Sequence, residues 1–122
     1  MEALTAMQTR NSVSRLSGTV RPEDLKEMLS AAIRAPDHGM LRPWRILAIQ
    51  GESLKKLGNL FADAKQEKDP EAPPMILEKL RNNPLRAPLI LGVCAIVSVE
   101  SKIPEIEQVL SAGAVAQNIL NA

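Results

Sequence analysis

The sequence predicts an α+β domain in which helices pack on a sheet. Its 122 residues suit one domain, and 45% of them are hydrophobic while only 2% are aromatic. A core with one Trp, one Phe and no Tyr must be built from aliphatic side chains, which suits helices packed on a sheet. Both helix-like and strand-like hydrophobic patterns occur along the chain. We therefore expect residues 1–122 to form a single domain of this class.

Proline residues and hydrophobic spacing set the bounds of the predicted helices. Pro22 suits the first turn of a helix, and Pro36 is expected to end that helix at Ala35. Apolar residues recur at helical spacing in four other segments, which predicts further helices over residues 3–7, 54–64, 74–81 and from 104 onward. The polar segment from Lys65 to Pro74 is predicted to be a surface connection.

Two segments have the appearance of strands. Arg45 to Gln50 reads as a strand that ends at Gly51. Leu89 to Val97 is a continuous aliphatic stretch, which is typical of a strand covered on both faces. We expect this second strand to be central, with Cys94 buried in it as a small hydrophobic residue.

The last predicted helix is apolar nearly all round. One stripe along it consists of Ile106, Val109, Leu110, Gly113, Gln117 and Leu120. A helix of this kind should be buried or lie at a subunit interface. The chain ends at Ala122 without a basic last turn or a glycine cap, so we also expect that a C-terminal part is missing.

Composition argues against several classes of function. A net charge of +1 does not favour general electrostatic binding to nucleic acid. One Cys and one His leave too few ligands for a typical zinc centre. No Walker loop, dinucleotide fingerprint or Gly-x-Ser-x-Gly segment is present. The start of the chain lacks a signal-peptide pattern and the longest apolar run is too short to span a bilayer, so we expect a cytoplasmic protein without a membrane partner.

The segment Arg10-Asn11-Ser12 is a candidate anion site. It follows the first predicted helix. A guanidinium and a hydroxyl two residues apart can both bind one phosphate, because arginine supplies charge with planar donors and serine supplies a directional hydrogen bond. On spacing alone, a solvated basic loop remains the alternative.

Arg34 and His38 form a second candidate pair on either side of Pro36. The loop from Pro36 to Trp44 contains two prolines and a glycine, which favour a fixed, irregular shape. Arg34 could bind a phosphate or a carbonyl oxygen, and His38 could exchange a hydrogen bond with a heterocycle. A surface or packing histidine is the alternative, and no residue nearby completes a nucleophilic triad.

Taken in order, these motifs resemble the nitroreductase-like flavoproteins, in particular the small NAD(P)H nitroreductases. The resemblance rests on the Arg-x-Ser segment after the first helix, on the phrase from Arg34 to Gly39, and on the run from Arg42 to Arg45. It extends to Arg86-Ala87-Pro88 before the aliphatic strand and to Ser111-Ala112-Gly113 within the long helix. It therefore covers nearly the whole chain.

The resemblance implies a homodimer that binds flavin mononucleotide (FMN), on an antiparallel or mixed sheet flanked by helices. It places Arg10, Asn11 and Ser12 at the flavin phosphate and ribityl chain, and Arg34 and His38 among flavin contacts completed across the dimer. It also implies ping-pong transfer of hydride from NAD(P)H through the flavin to a small electron-poor acceptor such as a nitroaromatic or quinone.

Two departures from the family keep other functions open. Met40 and Arg42 stand where many relatives have Asn and Gln, so hydrogen bonds to the flavin ring are expected to differ. Family members also continue beyond the long helix into segments that complete the flavin site. The alternatives are a noncatalytic flavin-binding or structural dimer, or another flavin reaction such as reductive dehalogenation or ring fragmentation.

Overall fold

The computed structural model describes residues 2–122 as five helices and two strands connected by loops and short 3₁₀ turns. In chain order these are α1 (Ala3–Thr9), α2 (Pro22–Ala32), β1 (Trp44–Gln50), α3 (Glu52–Lys68), α4 (Pro74–Asn82), β2 (Leu89–Ala95) and α5 (Glu105–Asn121). The chain divides into two compact units. Unit 1 contains the residues up to Ser12 together with 20–47 and 92–122, and unit 2 contains 13–19 and 48–91.

Unit 1 is built around the contact between α2 and α5. Its buried centre consists of Ala32, Ala35 and Val115, with Trp44 among the half-buried residues packed against them. The small size of these residues lets the two helices approach closely, as expected for a chain with few aromatic side chains. This contact places the end of α2, and the loop that follows it, beside α5.

The strands β1 and β2 form a two-stranded antiparallel sheet. The backbone N–H of Ile96 donates to the carbonyl of Pro43, and Gly92 lies opposite Leu47. The order of the partners runs in opposite directions along the two strands, which fixes the pairing as antiparallel. Residues of β2 are half-buried rather than covered on both faces. A sheet of two strands has no central position, so the expectation of a central, fully covered strand is wrong for the described residues.

Unit 2 is dominated by a close packing of α3 on α4. A Cβ atom built on Gly58 would lie 2.0 Å from the carbonyl oxygen of Arg81, so only glycine permits this separation. The buried residues around the contact are Ala62, Ala72 and Leu77. The backbones of the two helices therefore meet with no side chain between them at Gly58.

Helix α2 ends three residues earlier than the sequence predicts. It stops at Ala32, and the following backbone bonds join residues three apart, from Arg34 to Ala31 and from Ala35 to Ala32. Pro36 disfavours helical geometry in the residue before it, and the chain responds by tightening its last turn. Arg34 consequently lies in this turn and not within the helix.

Helix α3 is longer than predicted, because the segment assigned to a surface connection continues the helix through Lys68. Lysine, glutamine and glutamate are good helix formers. Lys65 also pairs with Asp69 at 2.8 Å, and basic residues in the last turn complement the helix dipole. Local polarity was therefore a poor indicator of a break here.

Helix α5 buries the face opposite the predicted stripe and not the stripe itself. Its buried residues are Gln108, Ser111, Ala112 and Val115. The large residues of the stripe are exposed, namely Ile106, Val109, Leu110 and Leu120. We call these four residues the α5 stripe. Nothing in the described residues covers the α5 stripe, and the expected subunit interface stays a prediction.

Candidate functional site

Arg10 and Ser12 lie side by side directly after α1. The Nη1 atom of Arg10 donates to the Oγ atom of Ser12 at 3.2 Å. Because Ser12 accepts this bond, its own hydroxyl proton is free to be donated to a ligand. Arg10, Asn11 and Ser12 are exposed, and within residues 2–122 no carboxylate pairs with Arg10. The segment thus presents a positive charge and a hydroxyl donor at one place.

Arg34 borders a cavity of about 420 Å³ in unit 1. Residues of three helices and the turn after α2 line it, including Ala6 and Met7 of α1, Ala31 of α2 and Asn118 of α5. This volume falls within the range of small-molecule sites, roughly 300–1,000 Å³. Arg34 also borders a second hollow of about 260 Å³ with Asp37, Arg42 and Trp44. Both cavities therefore adjoin the same guanidinium-bearing turn.

The loop after Pro36 has an unusual backbone. Gly39, Met40 and Arg42 all have positive φ angles, of 73°, 53° and 48°. Glycine adopts this conformation freely, whereas Met and Arg rarely do. The Oδ2 atom of Asp37 accepts the backbone N–H of Arg42 at 2.7 Å and so holds the turn. The other oxygen, Oδ1, is buried and has no hydrogen-bond partner among the described residues.

Three polar side chains of α5 fasten the segment that carries Arg34 and His38. Asn118 donates to the carbonyl of Ala31 at 3.2 Å, and Ser111 donates to the carbonyl of Pro36 at 2.8 Å. Glu107 contacts the Nδ1 atom of His38 at 2.5 Å. We call these three contacts the polar ladder.

The spacing of the polar ladder explains its geometry. Its members on α5 are separated by four and seven residues, so they lie within about 40° of one another around the helix. As their numbers fall, the numbers of the residues they contact rise, so the segment from Ala31 to His38 runs antiparallel to α5. The helix therefore acts as a template for both candidate residues.

Gln108 secures the loop before α5. It is 2% exposed, and its amide group makes three hydrogen bonds with the backbone of Ser98 and Ile103. A Cβ atom on Gly39 would lie 3.2 Å from the side chain of Ile103, so this loop also reaches the turn beside His38. A buried glutamine with its amide satisfied fixes backbone position without a ligand role.

The structure brings together some of the predicted residues and leaves others apart. Arg10 and Ser12 are in contact, and Arg34 and His38 are held along one segment of unit 1. Within residues 2–122 no hydrogen bond joins the first group to the second. Sequence reasoning missed Glu107 and Asn118, although polar residues at helical spacing on an apolar helix are a readable signal.

Other kinds of site find no support in residues 2–122. No three His, Cys, Asp or Glu side chains there are grouped so that they could hold a metal ion. No helix in this part of the chain is long and apolar enough to cross a membrane. The cytoplasmic setting stays a prediction.

Comparison with known proteins decides the family. The sequence model of the Nitroreductase family matches residues 8–122, which include all five candidate residues. The chain belongs to the nitroreductase family. The expected α+β, nitroreductase-like fold is thereby confirmed.

Relatives and solved structures agree with this assignment. A Haemophilus influenzae protein named "Putative NAD(P)H nitroreductase" is 39% identical over 115 residues, and "Putative NAD(P)H nitroreductase YdjA" of Escherichia coli K12 is 36% identical over 116. Each alignment covers 93% of this chain and 61% of the relative. A Bacteroides fragilis nitroreductase solved with bound FMN superposes with a TM-score of 0.74 at 16% identity, over 99% of this chain and 63% of that one. The chain thus spans about three fifths of the length of these nitroreductases.

Proposed function

We propose that this chain belongs to an FMN-dependent oxidoreductase that transfers hydride from NAD(P)H to an electron-poor acceptor such as a nitroaromatic or a quinone. The observation that carries the proposal is the family match across all five candidate residues. The names of the two bacterial relatives support the nicotinamide reductant, and the FMN-bound family structure supports the cofactor. When bound, FMN would supply the redox chemistry, accepting hydride from one substrate and delivering electrons to the next.

The exposed Arg10–Ser12 pair fits the phosphate end of FMN. A phosphate carries negative charge and strong acceptor oxygens, and here a guanidinium with no carboxylate partner in the described residues adjoins a serine whose proton is free. Asn11 adds an amide between them. These residues would hold the cofactor by its anionic end and have no part in the redox step.

The segment held by the polar ladder fits the ring end of FMN. Arg34 can donate to a carbonyl oxygen on the ring, and His38 has one ring nitrogen left for a ligand because Glu107 engages the other. Both donors and acceptors are therefore available for a heterocycle.

We further propose that the protein is a homodimer with two identical flavin sites. The α5 stripe exposes four large aliphatic residues on one face of a helix, and exposed apolar surface of this kind marks a candidate interface. In a single chain the Arg10–Ser12 pair and His38 make no mutual hydrogen bond within residues 2–122. A second copy would supply one group to each site, as the family resemblance implies.

Anaerobic stopped-flow mixing tests the proposed activity. The FMN-loaded intact gene product is mixed with NADH or NADPH, and then with a nitroaromatic or a quinone, while flavin absorbance is followed. We expect rapid bleaching in the first step and recovery of the absorbance in the second. Free FMN at the same concentration is the control. Bleaching no faster than that of free FMN with either nicotinamide would contradict the proposal.

A noncatalytic flavin-binding dimer is the second candidate function. Met40 and Arg42, which replace common ring contacts of the family, both occupy the left-handed region of backbone space. Asparagine tolerates this conformation better than methionine does. A methionine at position 40 therefore lacks a hydrogen-bonding side chain and also makes the backbone there more strained. The same stopped-flow experiment separates the two functions, since a noncatalytic dimer would bind flavin without being reduced quickly.

A further inference from the structure

We infer that Glu107 is a positioning residue that sets which ring nitrogen of His38 is offered to the ligand. The inference rests on the proposed flavin site, because it concerns how one of its residues is prepared for binding. It goes beyond the family resemblance, which rests on other residues.

Glu107 and His38 are in direct contact. The carboxylate oxygen Oε2 of Glu107 lies 2.5 Å from Nδ1 of His38, although 69 residues separate them in the sequence. An ionised carboxylate can only accept a hydrogen bond. Nδ1 must therefore carry the proton, and in the neutral imidazole Nε2 is then left with a lone pair.

Further hydrogen bonds hold the two elements that carry the pair. Ser111 fixes Pro36, two residues before His38, and it lies one helical turn from Glu107 on α5. Gln108 anchors the start of the same helix to the loop that contacts Gly39. The backbone on both sides is thus held, and the carboxylate can fix the orientation of the ring.

The exposure of both side chains limits what the pair contributes to stability. The side chains of His38 and Glu107 are 64% and 43% exposed, so their pairing contributes little to stability. An exposed pair at the end of a polar ladder has its main effect on orientation. The mostly exposed imidazole leaves Nε2 for a ligand.

The chemical consequence is that His38 favours a ligand group that donates a hydrogen bond. A neutral His38 with its proton on Nδ1 presents an acceptor at Nε2, which matches an N–H group at the edge of a heterocycle such as the flavin ring. The opposite tautomer would present a donor there and would suit a ring carbonyl. Glu107 therefore selects between two modes of binding the same ring.

Nuclear magnetic resonance tests the tautomer directly. Long-range ¹H–¹⁵N correlations of the imidazole are recorded on the flavin-free, ¹⁵N-labelled intact gene product at about pH 8, where histidine is ordinarily neutral. His38 is the one histidine of the 122 residues, and loss of its signal in His38→Gln assigns it in the intact product. We expect the Nδ1–H tautomer, and the Nε2–H tautomer in the wild-type protein would overturn the inference.

Three variants separate positioning from general structure. Glu107→Ala should shift His38 towards the Nε2–H tautomer, whereas Glu107→Gln should largely retain Nδ1–H because its amide oxygen still accepts. Glu105→Ala removes the same charge from the same turn of α5 without touching His38, and it should behave as wild type. An unchanged tautomer in Glu107→Ala would contradict the role of Glu107.

FMN titration then links the tautomer to binding. We expect Glu107→Ala to weaken FMN affinity about tenfold and Glu107→Gln to lose less, the scale of an outer hydrogen-bond partner. A changed tautomer with unchanged affinity would overturn the positioning role. Failure of the wild-type protein to bind FMN would instead refute the proposed function, while the tautomer result would still stand or fall by itself.

Discussion

Each of the two compact units of this chain is stabilised by a different kind of internal packing. In unit 2, α3 and α4 meet backbone to backbone at Gly58, around the buried residues Ala62 and Leu77. In unit 1, α2 and α5 share a small aliphatic centre, and polar side chains of α5 fasten the segment from Ala31 to His38 at three points. Unit 1 contains all five candidate site residues, and unit 2 contains none of them. In unit 2 close apolar packing serves stability, whereas in unit 1 the polar ladder also fixes the segment that carries two of the proposed site residues.

The largest expected effect is loss of the dimer when the α5 stripe is changed, compared with the same change at an exposed apolar position of unit 2. Leu110 in the α5 stripe and Leu60 on α3 are 63% and 61% exposed, so they are alike in a single chain. Leu110→Asp should weaken the homodimer by about 4 kcal/mol or more, because a symmetric interface would bury the unpaired charge twice. Analytical ultracentrifugation should show monomers for Leu110→Asp and dimers for Leu60→Asp. Equal behaviour of the two variants would remove the α5 stripe from the interface.

A second variant tests the close packing of unit 2. Gly58→Ala should destabilise the protein by about 3 kcal/mol, since the added Cβ would meet the backbone of Arg81 at 2.0 Å. Gly113→Ala on α5 is the matched control, because its Cβ has no neighbour within 4 Å and alanine favours a helix by roughly 1 kcal/mol. Urea unfolding of monomeric Leu110→Asp protein carrying each change gives the comparison. Equal midpoints would show that the helices can separate at no cost.

The anion site of unit 1 is tested by removal of its charge. Arg10→Ala should weaken FMN retention by roughly 1.5 to 3 kcal/mol, the scale of a hydrogen bond from a charged group. Lys56→Ala takes the same charge from an exposed position on α3 and should leave retention unchanged. Equilibrium titration monitored by flavin fluorescence measures both. Unchanged affinity of Arg10→Ala would exclude Arg10 from the phosphate site.

A smaller change probes the polar ladder. Ser111→Ala should cost about 1 kcal/mol of stability, because the buried hydroxyl of Ser111 no longer donates to the carbonyl of Pro36. Ser30→Ala is the control, since its hydroxyl bonds only to the carbonyl of Lys26 within its own helix. Thermal unfolding of the two variants should differ, and an identical loss in both would mean that Ser111 does not secure the loop.

The smallest effect concerns the start of α2. Hydrogen bonding to Arg21 lowers the pKa of Asp24 below its ordinary value. A carboxyl group with a lowered pKa stabilises the fold above its unfolded pKa of about 3.9, and this contribution is lost as the pH falls through the folded value. Asp24→Asn should therefore be slightly less stable at neutral pH and equal to wild type in acid. A difference that grows on acidification would contradict this assignment.

Sequence reasoning predicted the elements better than their ends and faces. Helix bounds set by proline were found at Pro22 and Pro74, because proline restricts φ locally. The end of α2 was misplaced because the last turn before Pro36 tightens and leaves the helix early. The length of α3 was underestimated because its polar last turn remains helical. The buried face of α5 could not be read from an all-apolar pattern, since burial follows from packing partners distant in sequence.

The site residues stay a prediction, and only some of the contacts around them could be anticipated from the sequence. Local motifs singled out Arg10, Ser12, Arg34 and His38 as candidates, because arginine, serine and histidine side chains have the charge and hydrogen-bonding groups that bind such ligands. The role inferred for Glu107 required the three-dimensional pairing of residues 69 positions apart. The close approach at Gly58 could likewise not be predicted from the sequence, because it depends on the backbone of another helix, α4.

Native mass spectrometry of the intact gene product tests the central claim, that unit 1 is completed by a cofactor and by a second copy of the chain. One spectrum reports both the number of chains and the number of bound flavins. The account predicts two chains carrying two FMN molecules. A monomer that remains free of flavin after incubation with excess FMN would contradict it.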